Sequence, residues 1–253
     1  MSALFVVLLA VAFFLALLVL LEMGHRRGRR RIAADPERAG VTVVEGALFT
    51  LLGLLIAFTF SGAASRFDWR RDLVVQEANA IGTAYLRLDL LPAPAQPALR
   101  AKFREYLQAR LDAYRALPDL PAARSALARA ATLQDEIWVL AIAGSRPEPG
   151  SRVVVLPALN EMFDIMTTRT EAARAHPPII ILVLLIVLAL VSAVLVGEAM
   201  AASPTRSWTH MAAFALMIAL TIWVIIDLEY PRQGLIRLAH FDQVLVDLLE
   251  KMR

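Results

Sequence analysis

Three stretches of this 253-residue chain place acids, amides and arginines next to strongly apolar sequence. They are "LVVQEANAIGTAYLRLDLLP" from residue 73, "ALNEMFDIMTTR" from residue 158 and "WVIIDLEYPRQGLIR" from residue 223. Ionisable groups near bilayer depth need partners, so these residues are the first candidates for chemistry. We call them the polar set: Glu77, Asn79, Arg87, Asn160, Glu161, Asp164, Arg169, Asp227, Glu229 and Arg232.

Three kinds of chemistry fit the polar set. An ion-pair network could fasten a domain to a membrane bundle, and this is the interpretation we favour because Glu77 shares a helix face with Ile81 and Tyr85 and needs a partner. Carboxylates could instead share a cation such as Ca²⁺ through oxygen ligands. The set could also line a vestibule that tunes permeating ions.

Several classes of site are excluded by residue content. The chain has no cysteine, so disulfides, thiolate metal sites and cysteine nucleophiles are absent. Its histidines (His25, His176, His210 and His240) lack metal-ligand spacing, so we expect no metal and no cofactor. No nucleophile stands beside a base and no glycine loop cradles phosphate, which argues against an enzyme.

The basic excess behind the pI of about 9.7 is concentrated in "HRRGRRR", residues 25–31, directly after an apolar block. A cluster in that position is typical of a topology determinant that also touches anionic headgroups. We therefore expect a lipid bilayer as partner and no nucleic acid.

Hydrophobic residues make up 58% of the chain, and they concentrate in blocks at 3–22, 43–63, 178–200 and 208–227. Each block is close to the ~20 residues that cross a bilayer as a helix, which predicts four transmembrane helices. The first block has neither a basic leader nor a small-residue cleavage site after it, so we expect it to remain as an anchor.

The segment between the second and third blocks reads as helical throughout. Apolar residues recur at helical spacing in one helix from about Leu99 to Tyr114 and in a second from about Pro121 to Ala143. "GSRPEPGSR" predicts a loop, and a third helix is predicted to begin near Pro157.

The predicted fold class is an all-α membrane protein with four transmembrane helices and a helical extramembrane domain between the second and third. The predicted divisions are a first transmembrane pair with a basic connecting loop at 1–63, the helical domain at 64–177, a second pair at 178–228 and a helical C-terminal tail at 229–253.

The second apolar block carries two neighbouring stripes. One contains small residues that allow close helix approach, namely Gly46, Gly53, Ala57, Ser61 and Ala64. The other contains Thr50, Leu54 and Phe58 at spacings of four. Either stripe could line a pathway, and both could simply pack against neighbouring helices.

"GLLIAFTFSGAASRFDWRRDLVVQEANAIGTAY" resembles the corresponding segment of bacterial bestrophins. With "EANAIGTAYLRLDLLP", "LPALNEMFDIMTTR" and "DLEYPRQGLI", nearly the full chain is more similar still to the bestrophin-like family of bacterial membrane proteins. Bestrophins are pentameric anion channels, so the resemblance implies a homo-oligomer, most simply a pentamer, that passes small ions such as chloride. It also implies a pore lined by Thr50, Leu54 and Phe58. The alternative is a non-conducting scaffold or sensor whose helical domain binds a partner or a cation.

Two arguments about orientation disagree. The arginines of the 23–42 loop and Arg206 predict cytoplasmic loops, which places residues 64–177 on the periplasmic side of the bacterial inner membrane. The resemblance implies a cytoplasmic domain instead. We favour the charge argument because five arginines beside helix ends are costly to translocate.

Overall fold

The computed structural model describes residues 3–34, 43–117, 119–203, 207–230 and 242–252, and within these ranges it contains no β-strand. The all-helical fold predicted from the sequence is confirmed. Short 3₁₀ turns at Leu88–Leu90 and Ala93–Ala95 connect the second helix to the third. The α-helices are α1 Ala3–Ala34, α2 Val43–Arg87, α3 Gln96–Arg115, α4 Leu120–Gly144, α5 Pro149–Arg174, α6 Ile179–Met200, α7 Trp208–Glu229 and α8 Gln243–Lys251.

The chain divides into two compact units. The membrane unit comprises residues 1–65 and 176–235, and the helical unit comprises residues 66–175 and 236–253. Helix α2 is continuous, so its first half belongs to the membrane unit and its second half to the helical unit.

Four helical stretches are long and apolar enough to cross a membrane, namely Val6–Ala34, Val43–Leu90, Pro149–Met200 and Trp208–Glu229. Each contains one of the four apolar blocks of the sequence. The chain is therefore a multi-pass membrane protein.

Close approach of α1 and α6 organises the membrane unit. A Cβ atom added to Gly24 would overlap the carbonyl oxygen of Val194, and one added to Gly197 would overlap the carbonyl oxygen of Leu21. A Cβ atom added to Gly28 would lie only 2.6 Å from the Cβ of Ala201. The two helices run parallel, since higher residue numbers on α1 meet higher numbers on α6. Small residues at such a contact let helix backbones pack without an intervening side chain.

A buried apolar cluster completes the membrane unit. Leu17 and Leu21 of α1 are fully buried, and they lie with Ala193 of α6 and with Met211 and Ala215 of α7. In lipid, where apolar transfer gives little drive for association, such packing is the main attraction between helices.

The basic segment after the first apolar block differs from the prediction. Residues 23–34 were expected in a connecting loop, but α1 continues through them to Ala34. Arginine has a high helix propensity, and Arg26 gains an ion pair one turn back with Glu22 at 2.6 Å. The remainder of the predicted loop, 35–42, lies outside the described residues.

The helical unit has a core contributed by α2, α3, α4, α5 and α8. The predicted apolar faces of α3 and α4 are confirmed: Leu99, Phe103 and Leu107 are buried on α3, and Leu133 and Ile137 are buried on α4. Helix α4 starts where Asp119 accepts a hydrogen bond from the backbone N–H of Ala122 at 3.1 Å, which caps its first turn.

Helix α5 begins earlier than predicted. The sequence favoured a start near Pro157, but the structure starts the helix at Pro149 and places Pro157 inside it. The predicted start at Pro157 is wrong, because Pro149 suits a first helical turn equally well. An interior proline removes one backbone hydrogen bond. Arg87 donates to the carbonyl oxygen of Val154 at 2.9 Å, in the turn before Pro157.

The described part of the C-terminal tail packs on the helical unit. Leu245 of α8 and Met252 are buried in its core. The carbonyl oxygen of Met252 accepts hydrogen bonds from the Tyr85 hydroxyl at 3.3 Å and from the Arg104 guanidinium at 3.2 Å. Helix α8 is therefore an integral part of this unit.

Gly24→Ala is expected to destabilise the membrane unit by about 1–3 kcal/mol, because the added methyl group forces the α1 and α6 backbones apart. Thermal unfolding of the detergent-solubilised protein would measure the change. Gly150→Ala is the matched control, because nothing lies within 4 Å of the Cβ it would add. Equal melting temperatures for the two variants would contradict the close α1–α6 contact.

Candidate functional site

One side of helix α2 is covered along its length. Buried residues on this side begin with Leu52, Thr59 and Ala63 in the apolar half and continue with Arg70, Val74, Glu77, Ile81 and Ala84. Their spacings of three, four and seven place them on a single face of an α-helix. Thr59 satisfies its hydroxyl on this face by donating to the carbonyl oxygen of Leu55 at 2.6 Å.

The opposite side of α2 is uncovered. The predicted pore residues Thr50, Leu54 and Phe58 all lie there, and the side chain of Phe58 is 68% exposed. The Thr50 hydroxyl donates to the carbonyl oxygen of Gly46 at 2.9 Å, so its hydrogen bond is made within α2 and Thr50 adds only weak polarity to this side. The three residues form one open strip of apolar and weakly polar surface.

The predicted small-residue stripe lies beside that strip and is also open within one chain. Nothing lies within 4 Å of the Cβ positions of Gly46 and Gly53. Ala57 and Ser61 are exposed, and Ala64 is partly buried. Close glycine contacts among the described residues occur elsewhere, at Gly24, Gly28 and Gly197 between α1 and α6 and at Gly144 against Ala95. Within the part of the chain that the structure describes, nothing therefore packs closely against the Gly46 and Gly53 positions of the α2 stripe.

The uncovered side continues into the polar half of α2. Exposed residues at the same helical spacing are Asp68, Asp72, Asn79 and Leu86. Arg71 lies between the two aspartates and pairs with Asp68 at 3.4 Å and with Asp72 at 3.6 Å. The open face of α2 is thus apolar in its first half and mixed in charge in its second.

Glu77 is fully buried, and both oxygens of its carboxylate accept hydrogen bonds. Its Oε1 accepts from Arg110 Nε at 2.6 Å, and its Oε2 accepts from the Tyr114 hydroxyl at 2.9 Å and from Arg169 Nη1. Arg169 in turn pairs with Asp242 at 3.4 Å. The ion-pair interpretation therefore describes Glu77, and the helices that it joins are α2, α3, α5 and the start of α8.

Tyr114 lies at the centre of this network. The guanidinium of Arg169 lies 3.9 Å from the centre of its ring and that of Arg110 lies 5.0 Å from it. Burial and the neighbouring Glu77 carboxylate raise the pKa of the Tyr114 phenol, so it stays protonated and donates. Burial also raises the pKa of Tyr106 nearby to about 12.

Arg110 stays charged although it is buried. Burial works against its guanidinium, but the neighbouring Tyr114 and Glu77 outweigh that penalty and raise its pKa. Its Nη1 is a buried donor without a partner among the described residues. The network therefore holds its charges tightly and leaves one buried donor free.

The structure does not bring the rest of the polar set to Glu77. Asn79, Asn160, Glu161 and Asp164 are exposed at the surface of the helical unit. Arg87 is half-buried and donates a hydrogen bond to the carbonyl oxygen of Val154 on α5. Arg232 lies outside the described residues.

The remaining two acids lie at the end of α7 in the membrane unit. Asp227 and Glu229 are both buried. Glu229 Oε1 lies 3.1 Å from His176 Nδ1, and the His176 ring stacks on Tyr230 with 4.6 Å between ring centres. This is a second polar group, which we describe separately from the Glu77 network.

Sequence reasoning missed Arg110, Arg70 and His176. Arg110 follows Leu107 of α3 by three residues, so helical spacing places it on the apolar face of that helix. Arg70 is buried and donates to the carbonyl oxygens of Ala172 at 3.0 Å and Ala175 at 2.7 Å, which caps the end of α5. For Arg70 and Arg110, the available signal was an arginine whose helical spacing places it on the covered face of its helix.

A metal centre finds no support in the part of the chain that the structure describes. No group of three or more His, Cys, Asp or Glu side chains is arranged to hold an ion there. Both carboxylate oxygens of Glu77 are engaged by Arg110, Tyr114 and Arg169. Glu77 is therefore committed to its cations and does not present an oxygen to Ca²⁺.

Glu77→Gln is expected to lower the free energy of unfolding by about 3–5 kcal/mol, because the buried guanidinium of Arg110 loses its counter-charge and that of Arg169 keeps only Asp242. Denaturant or thermal unfolding of the purified protein would measure the loss. Glu161→Gln, which removes an exposed carboxylate from α5, should change stability little.

A double-mutant cycle sharpens this test. Combining Glu77→Gln with Arg110→Gln should cost less than the sum of the single changes, since the second change removes one of the stranded charges. Additive losses would mean that the two side chains do not interact.

Comparison with known proteins agrees with the architecture. Neither a curated protein nor a solved structure matches the chain significantly. The family model of the bestrophin-like domain matches residues 9–239, which takes in all four apolar helices and α3 to α5. This match covers nearly the whole chain and confirms the resemblance drawn from its motifs. The chain therefore belongs to the bestrophin-like domain family.

Proposed function

We propose that this protein is a homo-oligomeric ion channel of the bacterial inner membrane, in which α2 of each copy lines a central pore. The cargo we assign is small anions, with chloride as the representative, and the assembly we assign is a pentamer. Both follow from the resemblance to bestrophins. We assign the chain no enzymatic activity.

The open face of α2 is the observation that carries this proposal. A membrane-crossing helix that leaves Thr50, Leu54 and Phe58 uncovered on one side needs a neighbour, lipid or water there. The adjacent small residues Gly46 and Gly53 suit close approach by a second copy. In a ring of copies, the small-residue stripe would contact the next α2, and the strip of Thr50, Leu54 and Phe58 would face the axis.

Such a ring would stack narrow collars along its axis. Residues four apart are separated by about 6 Å along a helix, so Thr50, Leu54 and Phe58 would form successive constrictions. Apolar constrictions gate ion flow by excluding water rather than by charge. Phe58 has the largest of the three side chains and would be the narrowest point.

Orientation is part of the proposal. The arginines on the last turns of α1 favour a cytoplasmic position for that end, because basic residues beside membrane helices resist translocation. Helix α2 crosses next, so the helical unit would then lie in the periplasm.

Phe58→Ala is expected to raise ion flux severalfold, because removing the ring widens the apolar constriction. The measurement is flux through purified protein in liposomes under chloride and potassium gradients. Phe60→Ala is the matched control: it makes the same chemical change on α2, but Phe60, 43% exposed, lies on the small-residue side, seven residues after Gly53, and does not face the proposed axis.

A chloride flux that rises with Phe58→Ala and not with Phe60→Ala would support both the pore and its anion preference. Silence in the parent and in both variants, with the oligomer intact, would favour the non-conducting scaffold or sensor. Equal effects of the two substitutions would contradict a pore lined by this strip.

Orientation has its own test in the cysteine-free chain. Ser125 is exposed on α4 of the helical unit and Ala33 is exposed near the end of α1. We expect Ser125→Cys to react with a membrane-impermeant maleimide in intact cells and Ala33→Cys to react only after lysis. The reverse pattern would place the helical unit in the cytoplasm.

A further inference from the structure

The last turns of α1 carry more positive charge than their surroundings neutralise. Arg26, Arg27, Arg29, Arg30 and Arg31 all lie on a continuous helix rather than in a loop. A helix holds their guanidiniums at fixed positions around one axis. The cluster can therefore be divided according to what each arginine contacts.

Three of the five arginines have carboxylate partners. Glu198 of α6 pairs with Arg27 at 3.0 Å and with Arg31 at 2.7 Å, on the side of α1 that packs against α6. Arg26 pairs with Glu22 on α1 itself. Arg29 and Arg30 are exposed and make no hydrogen bond or ion pair within the described parts of the chain. These two guanidiniums are available to a ligand.

An apolar stripe leads directly to Arg30, and the other free arginine, Arg29, lies on the adjoining face of α1. Leu15, Val19 and Met23 are 53%, 57% and 58% exposed, and their spacing of four places them on one face of α1. Arg26 and Arg30 continue the same face, three and seven residues after Met23. This face of α1 therefore changes along the helix from exposed apolar side chains to guanidinium groups, which makes it amphiphilic.

The depth of the arginines matches the headgroup layer. With a helical rise of 1.5 Å per residue, Arg29 and Arg30 begin about 12 to 14 Å beyond Leu21, and their long side chains can reach back toward the bilayer. Trp208, 54% exposed, starts α7 at the same end, because α6 runs parallel to α1 and ends at Met200. Exposed tryptophan is enriched at the membrane–water interface.

We propose that this surface binds anionic phospholipid, with Arg29 and Arg30 holding the headgroup phosphate and Leu15, Val19 and Met23 contacting an acyl chain. Arginine suits the phosphate because its planar fork donates two parallel hydrogen bonds to phosphate oxygens. Free phosphate would use the guanidiniums only and gain nothing from the apolar stripe. The occupant is therefore a lipid, and the proposal does not depend on conduction.

The test uses native mass spectrometry of the full-length, detergent-solubilised protein with added phosphatidylglycerol or phosphatidylcholine, and with inorganic phosphate in a separate arm. We expect the parent to retain phosphatidylglycerol in preference to phosphatidylcholine. Replacing both free arginines, R29Q with R30Q, should weaken phosphatidylglycerol binding roughly tenfold or more. Lysines at both positions, R29K with R30K, should keep most of it.

The matched control removes the same charge elsewhere. Arg124 and Arg129 are exposed on α4 of the helical unit, and R124Q with R129Q should leave lipid binding unchanged. Equal losses in the two glutamine pairs, equal retention of both lipids by the parent, or displacement of phosphatidylglycerol by millimolar phosphate would each overturn the proposal. A stripe covered by a second copy of the chain would appear as oligomers that retain neither lipid, and would overturn it as well.

Discussion

The buried carboxylate of Glu77 is the constraint on which the helical unit depends. A charge without solvent contact is tolerated only when cations and hydrogen-bond donors surround it, and here they come from α3 and α5. Glu77 also fixes a direction, because the face of α2 that carries it must be the covered face. Since α2 is one continuous helix of 45 residues, that face also contains Leu52 and Thr59 in the apolar half.

The open face of α2 follows from the same geometry. The small residues, the three pore candidates and the mixed-charge continuation lie away from Glu77, and within the described ranges they are exposed apart from the partly buried Ala64 and Arg71. The membrane unit has already used its other small residues, because Gly24, Gly28 and Gly197 bring α1 and α6 together. We propose that the surface which the protomer leaves exposed on α2 is its assembly surface, and this would link the buried ion pairs to the proposed channel.

Composition and periodicity predicted the elements of this fold more reliably than their partners. Twenty-residue apolar blocks and the three- and four-residue spacings of α3 and α4 depend on local sequence, and the structure agrees with them. The partners of Glu77 do not depend on local sequence, because Arg110 and Arg169 lie 33 and 92 residues away along the chain. The α1–α6 contact was not predicted because its α1 glycines, Gly24 and Gly28, lie beside arginines that suggested a loop. The start of α5 was not predicted because two prolines suit a first helical turn.

The central claim is that the open face of α2 meets its counterpart on other copies around an axis. Single cysteines in this cysteine-free chain test it directly, by oxidative cross-linking in native membranes. Leu54→Cys, on the open face, is predicted to form disulfide-linked dimers. Thr59→Cys, on the covered face, is predicted to form no disulfide between copies. Cross-linking of Thr59→Cys with none of Leu54→Cys would contradict the account.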